Sequence, residues 1–206
     1  MRGIIHLVMS PISLIAGILL ITFAGQVQGR LTLGIFTLTA VTLFTCSALY
    51  HRVRWTPEMK ALWRRIDHSN ITILIAGSYT PFATYLLEGK ARVLMLSLIW
   101  GGALITALMR ILWLNGPRFL YVGAYIALGW AAVIYLPTFY HKAGVAIFTL
   151  LLAGGICYTV GGIIYALKKP NISITWFGFH ELFHALTALA FTCQFVAAAL
   201  LIYTKN

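Results

Sequence analysis

His180 and His184 stand four residues apart in His180-Glu181-Leu182-Phe183-His184. On an α-helix that spacing puts both imidazoles on one face, a metal-chelating geometry, and neutral imidazole suits zinc. A lone histidine on an apolar helix is ordinarily a hydrogen-bonded core residue; a pair at this spacing asks for more. Elsewhere, His51 closes one apolar run and Asp67 opens the next. Three histidines and a carboxylate match the ligand set of a zinc site that also holds water. Ser47 lies one turn before His51 on the same face. Its hydroxyl can bond a ligand or the bound water, or merely its own backbone carbonyl. His68 adjoins Asp67 but points about 100° away on an ideal helix, which makes it an outer or interfacial residue. His6 is a weaker candidate still.

The elements that must bring these residues together are membrane spans. Hydrophobic residues make up 61% of the 206-residue chain and charged residues 9%, against about 25% charged in soluble domains. Apolar runs lie near 4–24, 31–51, 67–87, 91–113, 119–139, 144–167 and 179–203. Each is long enough to cross about 30 Å of hydrocarbon as a helix. No period-two alternation of a β-barrel is visible. The predicted fold is an all-α membrane protein, a seven-transmembrane helix bundle forming one domain over 1–206.

Charge sets its orientation. Arg2, Arg52, Arg54, Lys60, Arg64, Arg65, Arg110, Arg118, Lys168 and Lys169 fall on the amino-terminal side. Only Arg30, Lys90, Arg92, Lys142 and Lys205 fall on the other, ten against five. The positive-inside rule therefore predicts a cytoplasmic N-terminus and an outside C-terminus. With that topology His51, Asp67, His180 and His184 all reach the cytoplasmic face, and His6 does too, while His141 lies opposite. Independent core residues would share one depth only by luck.

The chain has four acids, and Glu58 and Glu88 sit in loops. Asp67 and Glu181 border spans, where ionisable groups are costly and functional by default. For Asp67 the competing reading is a helix-start residue favoured by the macrodipole.

The net charge of +11 does not require nucleic acid: spread over short membrane-flanking loops, it is explained by topology and anionic headgroups. Cys46, Cys157 and Cys193 fall inside spans, so no disulfide framework is implied. The sequon Asn171-Ile172-Ser173 would lie on the cytoplasmic side, unused. The first run is too long for a signal-peptide core and is interrupted by His6 and Pro11. Between the second and third runs, Thr56 can cap a short helix with Pro57 at its first position and Glu58 in its first turn. Met59, Leu62, Trp63 and Ile66 then recur at helical spacing. That segment is either an amphipathic helix on the inner leaflet or an ordinary basic loop.

Ser47-Ala48-Leu49-Tyr50-His51, Asp67-His68-Ser69, Ile75-Ala76-Gly77-Ser78-Tyr79-Thr80-Pro81-Phe82 and His180-Glu181-Leu182-Phe183-His184 together resemble the hemolysin III branch of the progestin and adiponectin receptor family. The resemblance covers nearly the whole chain. It implies a zinc held by His51, His180 and His184, with Asp67 reaching the metal through water and Ser47 at the family's serine position. Kinship with alkaline ceramidases implies lipid-amide hydrolysis, whereas bacterial members of the family are linked to membrane-fluidity homeostasis. Membrane lipids are the implied partners, in a bacterial plasma membrane. Many bacterial members carry a Glu ahead of the first span; this chain reads Met1-Arg2-Gly3-Ile4-Ile5-His6 there.

Two readings of different classes follow: a zinc-dependent lipid amide hydrolase with Asp67 and Ser47 as its catalytic residues, or a sensor or scaffold whose zinc is structural. The motif at 180–184 also satisfies HExxH, in which the Glu is a protease's general base. Intramembrane metalloproteases take a third ligand from a downstream Asp-Gly motif, and no acid follows His184. A retinal pump would need a lysine inside the last span. A haem bundle would need histidines enclosing the porphyrin rather than sharing one face.

Overall fold

The computed structural model describes residues 3–113, 116–173 and 176–205; Arg2, one of the ten basic residues, lies outside them. The chain forms α1 (Ile4–Phe23), α2 (Val27–Arg52), α3 (Pro57–Leu86), α4 (Gly89–Leu112), α5 (Arg118–Gly129), α6 (Leu136–Leu167) and α7 (Phe179–Lys205). Among the described residues the only strand-like pairing is one bridge, Ser173 to Phe177. Five stretches are long and apolar enough to cross a membrane: α1, α2, α4, the stretch from Arg118 to Leu167, and α7.

Polarity is inverted relative to a soluble domain. Leu7, Ile15, Leu19, Val93 and Ile105 turn outward, while Asp67, Arg110, Glu181 and His184 are buried. An outward apolar face suits a lipid solvent, in which the polar groups must find one another inside. Between them lies a core of Leu33, Phe36, Phe44, Leu74, Leu86 and Ile99. At Gly77 the helices come so close that an added Cβ would strike Thr39 of α2, the small-residue contact by which membrane helices pack.

Two elements differ from the sequence reading. The segment after Thr56 is neither a separate surface helix nor a loop. Thr56 Oγ1 accepts from the Met59 amide at 3.4 Å and Pro57 takes the first helical position, as its residues predict. The helix then runs unbroken to Leu86, because no Gly or Pro stands between Ile66 and the apolar part to stop it. Polar first turns and interior serines and threonines keep α3 from being apolar enough to be counted among the five stretches.

The run at 119–139 is also not one helix. It breaks after Gly129 into a 3-10 turn, Val133–Tyr135, and α6 starts at Leu136. Pro137 explains the break. A continuous helix would drive its ring into the carbonyl of Val133, so it occupies the first turn of a new helix instead. A second interruption falls at Gly144, with φ 80 and ψ 168. Arg118 Nη1 donates to the Tyr165 carbonyl at 3.0 Å and Trp130 Nε1 to Thr159 Oγ1 at 2.9 Å. Those pairs make α5 antiparallel to the later part of α6, so the chain reverses near Gly144. At that end Lys142 Nζ lies 2.6 Å from Glu88 Oε1, tying the reversal to the α3–α4 turn.

The Gly144 conformation is open essentially to glycine alone, and strain there costs about 1–3 kcal/mol. No atom lies within 4 Å of a Cβ added at Gly144 or at the helical Gly34. Gly144→Ala should therefore lower the melting temperature in detergent through backbone strain, whereas Gly34→Ala should be neutral or stabilising. Equal melting of the two variants would refute the strain.

Candidate metal centre

His51 lies in the last turn of α2, and His180 and His184 in the first turns of α7. One ring nitrogen from each falls within 4.8 Å of the others. His180 Nε2 and His51 Nε2 are 3.1 Å apart. A zinc tetrahedron with bonds of about 2.0–2.1 Å has edges of about 3.3–3.4 Å, so the donor type and spacing fit such an ion. The group joins the end of one helix to the start of another across a separation of 129 residues.

Asp67 is buried in α3, with the Ser47 side chain of α2 close beside it. Its carboxylate does not belong to the three-histidine group. Ser47 thus faces the carboxylate as well as the histidines. Both line a cavity with His6, His180 and His184 that continues between α3, α5, α6 and α7 to Trp130, Thr159 and Gln194. Deep in it, Gln194 Oε1 and Tyr158 Oη are buried without a hydrogen-bond partner.

Three further residues stand where sequence spacing could not settle them. His6 stacks on His184, with centroids 3.9 Å apart and planes at 14°, and is 2% exposed. It is therefore part of the cluster's wall, brought there by the packing of α1 against α7. His68 lies outside the three-histidine group, and its Nδ1 faces Arg110 Nη2. Arginine only donates, so in this pairing Nδ1 is the acceptor. Glu181 Oε2 accepts from the Gly178 amide at 3.1 Å. The glutamate of the HExxH pattern thus caps the start of its own helix, which counts against its being a protease base. His141 sits beside Lys142, at the end of the bundle away from the cluster, as the topology requires.

Arg110 is the residue the sequence reading undervalued. Counted there as a loop charge, it lies in the last turn of α4 and is 7% exposed. Its guanidinium lies over the Tyr121 ring, 4.1 Å from the centroid.

A helical bundle with apolar outward faces and a three-histidine group at one end defines a membrane protein with a candidate metal site. Residues 1–195 match the family described as Haemolysin-III related. The chain is 33% identical over 182 residues to the hemolysin-3 homolog of Bacillus subtilis (strain 168), covering 86% of this chain and 85% of that one. It is also 33% identical over 173 residues to hemolysin-3 of Bacillus cereus, covering 82% and 78%. An adiponectin receptor protein of Drosophila melanogaster is 25% identical over 183 residues, which span 80% of this chain but 41% of that one. The chain belongs to the Haemolysin-III related family.

Proposed function

We propose that this protein is a zinc-dependent hydrolase of lipid amides acting in membrane-lipid and fluidity homeostasis. The observation that carries the reading is the Ser47–Asp67 pair beside three histidines, at the mouth of a largely apolar cavity with isolated polar groups. His51, His180 and His184 are the ligands, with Asp67 acting through water. A zinc ion there supplies a Lewis acid and lowers the pKa of a water to about 7. The chain's own residues do the rest. Ser47 donates to Asp67 and fixes the carboxylate's direction; Asp67 takes the proton of the attacking water and returns it to the amide nitrogen. His6 keeps the His184 ring in place. The apolar walls hold an acyl chain, and the polar groups near Gln194 answer the lipid's polar atoms.

A structural role for the metal is the second reading. In its favour, α2 and α7 meet through Phe36, Phe44 and Phe191 in the middle of the bundle, and an ion between His51 and the α7 pair would clamp them at their end. Asp67→Asn separates the two, read by lipid-amide hydrolysis, metal content and melting of the purified chain. Turnover lost with metal and fold kept supports the hydrolase; unchanged membrane-fluidity rescue by that variant removes it.

The same proposal has one domain of seven spans in a bacterial plasma membrane. The N-terminus and the metal site are cytoplasmic, membrane lipids are the partners, and nucleic acid is not. Supporting it, the stretch from Arg118 to Leu167 is 50 residues long, about 75 Å if straight. That is more than twice the hydrocarbon thickness, and it folds back on itself. Alkaline phosphatase fused at the carboxyl terminus should be active, and fused after Lys169 inactive. The reverse pattern would overturn the orientation.

A further inference from the structure

Beside the three histidines, and opening onto His51 and His180, lies a second cavity of about 650 Å³, within the range of small-molecule sites. Its wall carries Arg54, Lys60, Arg64, Arg110 and Arg118, and no Asp or Glu among the described residues lines it. The positive-inside rule accounts for basic loops, but it needs those charges only in water. It does not account for Arg110, whose cation is buried at the floor.

Arg110 bonds His68 through Nη2 and stacks on Tyr121, yet its Nε is buried with no hydrogen-bond partner. Asp67 lies within electrostatic reach, but no ion pair joins the two among the described residues. A buried guanidinium with an unused donor is costly unless an anion completes it. Arg118 stands opposite, stacked on Tyr165 at 4.6 Å and spending one nitrogen on the Tyr165 carbonyl, which leaves other N–H groups of its fork. His68 lines the same space. Several guanidiniums on different helices suit an oxyanion with more than one negative charge better than a single carboxylate.

We propose that this cavity is a binding site for a phosphate group, held between Arg110, Arg118 and Arg64 next to the metal centre. The phosphate can belong to a lipid headgroup or to a free phosphate, since the recognising chemistry is the same. The site stands whether the neighbouring metal is catalytic or structural.

The test uses the full chain in nanodiscs. In the first arm, phosphatidylcholine discs are titrated with inorganic phosphate by calorimetry. In the second, native mass spectrometry compares retained phosphatidylglycerol with retained phosphatidylcholine, without free phosphate. Binding in the first arm alone identifies free phosphate, selectivity in the second alone a headgroup, and both together the shared site. Arg110→Gln and Arg118→Gln should each weaken the positive arm at least about tenfold, the value of a lost hydrogen bond to a charged group. Lys169→Gln removes an equal charge from the same end outside the cavity and should have no such effect. Arg118→Gln carries the comparison if the buried Arg110 variant fails to fold. Silence of the wild type in both arms overturns the proposal, as does equal weakening by Lys169→Gln. So does binding that disappears in a folded, metal-stripped His184→Ala protein while the arginine variants bind normally, because the anion would then be a metal ligand.

Discussion

His184→Ala should strip the purified protein of most of its metal, from about one ion per chain in the wild type. Among the described residues three histidines converge here, so each would carry a large share of the affinity. Changes to residues that merely orient a ligand already cost about 10–100-fold, and removal of a direct ligand should exceed that. His180→Ala should behave alike, since its Nε2 sits at the shared corner with His51. Asp67→Asn should only weaken binding. The stacking of His6 on His184 supplies a control: His6→Phe keeps a flat ring against His184 and should keep the ion. Elemental analysis of the gel-filtered protein reads all four. Full metal in the His180→Ala/His184→Ala double variant would reject the site.

The second large effect is on turnover. Asp67→Asn should lower lipid-amide hydrolysis by about 10²–10⁴, the usual range for general acid–base catalysis. Asparagine nearly preserves shape and can still accept from Ser47, but it cannot take the proton. Ser47→Ala leaves the carboxylate in place without its donor, so its loss should be smaller. A structural metal predicts a different order. Binding to the native state adds stability by mass action, so variants would rank by melting temperature and metal content, with Asp67→Asn near wild type. Hydrolysis at the wild-type rate by a folded, metal-loaded Asp67→Asn protein would remove Asp67 as the base.

The grouping of the three histidines was legible because helical periodicity and the alternation of apolar runs are both written in the chain. An i, i+4 histidine pair has one possible face, and alternating apolar runs put His51 at the same end as that pair. Asp67 could be brought to that end but not given a neighbour, because its approach to Ser47 depends on the rotation of α3 against α2. The packing of α1 on α7, which lays His6 on His184, has no local signature at all. Arg110 was misjudged for a related reason. Sequence reports that an arginine ends a span, but only packing decides whether it is buried or meets water. Two boundaries failed where local rules competed. Pro137 lay inside a run apolar enough to pass for one span, and the basic turns before Asp67 resembled a surface segment although nothing in them stops a helix.

One dimension of α3 has a mechanical consequence. Its 30 residues rise about 45 Å, more than the hydrocarbon thickness of about 30 Å. Asp67 lies about 15 Å from the Pro57 end and about 28 Å from the Leu86 end. The two arms are unequal, so a tilt of α3 about the level of Asp67 would carry the Leu86 end almost twice as far as the Pro57 end.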